Sequence, residues 1–243
     1  MIQKVLIVGA TGFCGSAVVK ALLQHPNFHP IAHIRNNTSR IHQIQHFKET
    51  GIEVLHLSWN GLLDQLPQIQ PDIICSFLGT TQNEMKQFGG DYHSIDYELN
   101  HQLLQASMQL PNVPTWLYLS SSGAQWGKWN RYLNARWLFE QELEQANLPF
   151  IILRPKLLTG KSRDPKRPME EWSNRLLQRL SDLCEQMGLS GIADNIRPLD
   201  APDIAQIIIH ILNKLDIQHK DSTHPILELK ELHQIRKQLQ SLP

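Results

Sequence analysis

Cysteine is scarce in this 243-residue chain, with only Cys14, Cys75 and Cys184 present. An odd number at wide spacing supports neither a disulfide framework nor a zinc site, and no metal centre is expected. An excess of either charge is equally absent. Lys plus Arg and Asp plus Glu number 23 each, so no net field draws in nucleic acid or an anionic membrane. The densest basic stretch, Lys161-Ser162-Arg163-Asp164-Pro165-Lys166-Arg167, reads as a solvated loop. No apolar run is long enough to span a bilayer, and neither an internal repeat nor a low-complexity tract is visible. The apolar opening is a strand followed at once by glycines rather than a secretory signal, so the expected address is the cytoplasm.

What is present is an alternation. Strand signals at Lys4–Val8, Pro30–Ile34, Ile52–Leu57, Asp72–Phe77, Trp116–Ser120 and Phe150–Leu153 are separated by helical stretches. That pattern predicts an α/β fold with a doubly wound parallel sheet, central order 3-2-1-4-5-6, forming one domain over residues 1–243. Leu99–Met108, Tyr132–Glu144, Asp203–Leu212 and Glu231–Leu239 read as helices, and Ile226–Leu229 as a closing strand. Residues 156–198 differ. Proline and charge give way to a long amphipathic pattern in which Trp172, Leu176, Leu180, Leu183 and Met187 share a stripe. This segment is expected to be a small substrate-covering insertion.

Gly9-Ala10-Thr11-Gly12-Phe13-Cys14-Gly15 sits where the first strand hands over to a helix. Glycines there let the backbone turn tightly and approach a pyrophosphate, and the helix N-terminus offers free N–H groups. The strand–glycine–helix context makes this a dinucleotide-binding loop. Roughly 20 residues on, where a carboxylate would accept from the 2′-hydroxyl of NAD, stands Arg35. A guanidinium suits a 2′-phosphate, so the expected cofactor is NADP(H). Past the fifth strand come Ser120-Ser121-Ser122 and then Tyr132 and Arg136, which four-residue spacing puts on one helical face. A phenol beside a cation and a serine hydroxyl can protonate a carbonyl as hydride arrives.

With these pieces and Leu153-Arg154-Pro155 after strand six, nearly the whole chain resembles the short-chain dehydrogenase/reductase superfamily. Cys75-Ser76-Phe77-Leu78-Gly79-Thr80-Thr81 and Ile95-Asp96-Tyr97 are similar to the atypical group related to Tat-interactive oxidoreductase and to NmrA-like regulators. The resemblance implies cofactor contacts from Gly9, Thr11, Gly12, Phe13, Gly15, Arg35, Leu78, Gly79, Thr80 and Pro155. It implies Tyr132 as acid/base with Ser121, or Ser122 in its place, as partner, and Asn100 on a supporting helix. Where the superfamily has lysine, this chain has Arg136, which keeps the charge but cannot release a proton.

Three functions are therefore open: an NADPH-dependent oxidoreductase acting on a small carbonyl or quinone, a non-catalytic NADP(H) sensor, and a nucleotide-sugar epimerase or dehydratase. Enzymes of the last kind usually devote a larger C-terminal region to the sugar nucleotide than the segment after Pro155 provides. A small-molecule substrate is expected, and a homodimer through the tyrosine helix is one possible assembly. Gly160-Lys161-Ser162 lacks the glycine spacing of a P-loop. His42 and His46 read as a polar helix face rather than metal ligands. Trp126 and Trp129 are either a substrate wall or space-fillers.

Overall fold

The computed structural model describes residues 2–36, 41–80, 85, 89–156, 158–159, 179, 181, 187, 197–214 and 225–241. The long β-branched and aliphatic runs form strands β1 (Gln3–Val8), β2 (Phe28–Arg35), β3 (Glu53–Leu57), β4 (Ile73–Ser76), β5 (Thr115–Leu119) and β6 (Phe150–Arg154). A two-stranded parallel pair, β7 (Leu158–Thr159) and β8 (Leu199–Asp200), closes the base of the segment that the sequence reading sets apart. The last strand is β9 (Ile226–Glu228). The main sheet runs β3-β2-β1-β4-β5-β6-β9 with every pairing parallel. The central order is the expected one, with β9 added at the edge.

Both faces of the sheet are covered, as a fully parallel sheet requires. On one face Val5, Ile7, Leu117, Leu119, Ile151 and Leu153 pack against α1 (Phe13–Leu23), α2 (Ile41–Glu49), α6 (Ala201–Lys214) and α7 (Leu229–Gln240). On the other, Leu6, Val8, Trp116, Tyr118, Phe150 and Ile152 meet α3 (Trp59–Ile69), α4 (Leu99–Met108) and α5 (Arg131–Gln145). The two-residue period of the strands divides the apolar side chains between these cores.

Local chemistry sets the helix starts. Ser58 caps α3 by accepting from the Gly61 N–H at 3.1 Å. Asn130 caps α5, accepting from the amides of Tyr132 and Leu133 at 3.0 and 3.2 Å. The cap starts α5 at Arg131, one residue before the expected boundary. α4 differs more from expectation, because it continues directly from a π-helical turn, His93–Glu98. The wider turn shifts the register, and Asp96 is its one buried residue. Of the apolar stripe expected in the insertion, only Met187 falls among the described residues, where it is exposed in a turn. Trp172, Leu176, Leu180 and Leu183 lie outside them, as does Gly160-Lys161-Ser162.

Candidate nucleotide-binding and catalytic site

The carboxyl ends of β1 and β4 lie side by side at the topological switch point, where this architecture opens a crevice. Gly9 leaves β1 at φ +75°, and a Cβ there would lie 2.6 Å from the Phe77 carbonyl oxygen. Gly12 is the N-cap of α1, and its amide donates to the Gly9 carbonyl at 2.9 Å. A Cβ on Gly15 would overlap the same Gly9 carbonyl. The cradle therefore excludes side chains at its floor, and the first turn of α1 opens onto it. That is the form a pyrophosphate requires, so the residues present fit a dinucleotide. Thr11 and Phe13 are half-buried in this loop, and Phe13 leans on the core.

On the far side of β1, Arg35 ends β2 and is exposed. It stands apart from the tyrosine end of the site. Two residues earlier His33 is buried, its Nε2 donating to the Leu57 carbonyl at 3.2 Å. Burial lowers its pKa to about 4, more than the Leu57 hydrogen bond raises it, with Arg35 and His56 adding to the fall. The ring is neutral at neutral pH.

The loop after β4 is packed from below. A Cβ on Gly79 would strike the Arg136 guanidinium. Arg136 itself is buried: Nη1 donates to the Leu119 carbonyl at 2.6 Å, and Nη2 lies 2.9 Å from Asp96 Oδ1. Tyr118 Oη is 3.4 Å from Nη1, and the guanidinium carbon is 5.2 Å from the centroid of the Tyr132 ring. Burial works against this charge, but Tyr118, Tyr132 and Asp96 more than offset it and keep Arg136 protonated. Burial likewise pushes the Tyr118 phenol well above its ordinary range. Asp96 Oδ2 accepts from the Thr80 amide at 3.0 Å. Beneath it, Asn100 donates to the Asp96 carbonyl at 2.8 Å and accepts from Ser76 Oγ at 2.5 Å.

Tyr132 is half-buried in the first turn of α5, edge-on to Tyr92 with centroids 5.5 Å apart. Ser120 extends the β5–β6 ladder through its amide, 2.8 Å from the Leu153 carbonyl, and its hydroxyl is buried. Ser121 and Ser122 are half-buried, and the Ser122 amide donates to the Pro155 carbonyl at 2.9 Å. Pro155 is thus fixed beside the serine turn. Trp126 and Trp129 are 80% and 99% exposed, so neither fills space in the core. Among the described residues no group of three His, Cys, Asp or Glu gathers to hold a metal, and His42 and His46 lie on α2. Asp96 is the residue that sequence reasoning did not place in the site. In the structure it is more buried than its neighbours Ile95 and Tyr97, and no pattern in the sequence marks it.

A doubly wound sheet with this glycine cradle at its switch point defines a nucleotide-binding protein of the Rossmann type. The profile of the NAD(P)H-binding family matches residues 9–175, and the chain belongs to that family. A protein of Candida glabrata named "Protein FMP52, mitochondrial" is 29% identical over 164 residues, covering 67% of this chain and 66% of its own length. Its namesake in Candida albicans is 22% identical over 213 residues, 87% of this chain and 89% of that one. Among solved structures, a short-chain dehydrogenase/reductase of Serratia marcescens superposes with TM-score 0.62 at 12% identity, covering 93% of this chain and 95% of its own. UDP-glucuronic acid 4-epimerase of Bacillus cereus, in complex with NAD, superposes at 0.64 with 17% identity, covering 93% of this chain and 76% of that one. These superpositions speak for the fold alone.

The names of the relatives overturn one expectation. Those of both Candida species, Aspergillus terreus and Saccharomyces cerevisiae are called mitochondrial, against the cytoplasmic address expected above. No helix among the described residues is long and apolar enough to cross a membrane.

Proposed function

We propose that the chain is an NADPH-dependent oxidoreductase acting on a small carbonyl or quinone-like substrate, and that it works in mitochondria. The observation that carries the reading is the placement of Tyr132 over the buried Arg136, beside the loop that faces the glycine cradle. Gly9, Thr11, Gly12, Phe13 and Gly15 hold the pyrophosphate, Arg35 meets the 2′-phosphate, and Leu78, Gly79, Thr80 and Pro155 line the nicotinamide half. The bound cofactor supplies a hydride. Tyr132 supplies the proton to the substrate oxygen, and Ser121 orients that oxygen with its hydroxyl. Arg136 stabilises negative charge developing on the phenol through its fixed cation. It holds its proton throughout, so Tyr132 is reprotonated from solvent rather than through a side-chain relay.

One observation favours a second reading. Asp96 neutralises much of the charge that Arg136 would direct at Tyr132, and a protein so arranged could bind NADP(H) as a sensor without turnover. The two readings part in one assay. Steady oxidation of NADPH with an aldehyde, ketone or quinone is expected, falling about 100-fold or more in Tyr132→Phe as a positioned proton donor is lost. Tight NADPH binding with no turnover across such a panel would leave the sensor.

A further inference from the structure

The carboxylate of Asp96 is fully buried, yet it belongs neither to the glycine cradle nor to the tyrosine helix. It lies in a π-helical turn, a rare conformation that recurs at functional sites because it re-aims one side chain. Its two oxygens do different things. Oδ1 faces the Arg136 guanidinium at 2.9 Å, and Oδ2 takes the Thr80 amide at 3.0 Å. One side chain therefore ties α5 to the loop that leaves β4. The same loop is held at two further points. Ser76 Oγ, itself bonded to Asn100, receives the Leu78 amide at 3.4 Å, and Gly79 has no room for a side chain above the guanidinium.

We propose that Asp96 is a positioning residue for the nicotinamide half of the cofactor, acting by fixing the backbone of Leu78–Thr80 at the mouth of the cradle. The inference rests on the cofactor reading given above. In a doubly wound sheet the two halves of a dinucleotide lie on either side of the switch point. Arg35 at the end of β2 marks the adenosine side, and the β4 loop lies across β1 from it. A loop displaced there is felt by the nicotinamide half and not by the adenosine half. Loss of an ion pair with a purely structural role would instead weaken both alike, through stability.

The geometry supplies a selective probe. In Asp96→Asn the amide offers one acceptor oxygen where two donors converge, so its NH2 group must face either the guanidinium or the Thr80 N–H. Titration calorimetry of the full chain with NADPH and with adenosine 2′,5′-bisphosphate separates the halves. The expected result is NADPH affinity weakened about tenfold or more, the scale of one charge-assisted hydrogen bond, with bisphosphate affinity unchanged. Thr80→Pro removes the donor N–H and leaves the ion pair intact, so it tests the same anchor should Asp96→Asn fail to fold. It should lose more NADPH affinity than Thr80→Val, which keeps that N–H. Equal weakening of both ligands, or a folded Asp96→Asn or Thr80→Pro chain binding NADPH as the unaltered protein does, would overturn the proposal. If the unaltered chain bound neither ligand, the cofactor reading itself would fall.

Discussion

A single methyl group decides whether the cradle can exist. At Gly15 an added Cβ would lie on the Gly9 carbonyl, which is backbone and cannot swing aside. Gly15→Ala should therefore reshape the turn and abolish nucleotide binding. Circular dichroism should show the helix content kept while calorimetry shows no heat with NADPH. A variant that binds normally would mean the pyrophosphate sits elsewhere. This position was legible in the sequence because a glycine triplet between a strand and a helix has few other uses. Asp96 was not legible in the same way. Its burial depends on a π-turn register and on a guanidinium 40 positions along the chain, neither of which leaves a local pattern.

Elements are joined by charges as much as by the apolar cores. Arg154 at the end of β6 forms a fork with Glu140 of α5, Nε–Oε1 at 3.1 Å and Nη2–Oε2 at 2.6 Å, and reaches Glu228 of β9 at 2.7 Å. Glu140 is completely buried, so removing its partner strands a carboxylate in the core. Arg154→Ala is expected to cost about 3–5 kcal/mol of stability. Urea unfolding measures it, and a loss under about 1 kcal/mol would show that water reaches Glu140. The helices and strands were readable because strands of alternating or continuous apolar residues and amphipathic helices bury different faces. The edge strand β9 was readable from Ile226 and Leu227 in a short apolar run. The pair β7–β8 was not, since two residues per strand carry no periodicity.

For the molecule as a whole, pH should act through a group buried in β2. His33 titrates at about 4 in the folded chain against an ordinary 6.5. As pH falls, the unfolded chain takes up this proton first, so the stabilisation is complete above 6.5 and is lost between 6.5 and about 4. The loss amounts to roughly 3 kcal/mol from this ring. Melting temperatures across that window should fall steeply, and His33→Gln should flatten the slope. An unchanged slope would assign the acid sensitivity to other groups. The sheet order as a whole was legible because right-handed crossovers leave few topologies for six strands alternating with helices. The compartment was not, since composition and charge constrain solubility and partners rather than address.

The claim on which the rest stands is that the switch-point cradle binds a nicotinamide dinucleotide and that Arg35 selects the phosphorylated form. Titrating the full chain with NADPH, NADP+, NADH and NAD+, alongside Arg35→Ala, addresses both parts at once. The account predicts tight binding of the phosphorylated pair, weak binding of NADH and NAD+, and loss of that preference in Arg35→Ala. Equal affinity for all four would contradict the role of Arg35, and binding of none would contradict the cradle as a nucleotide site.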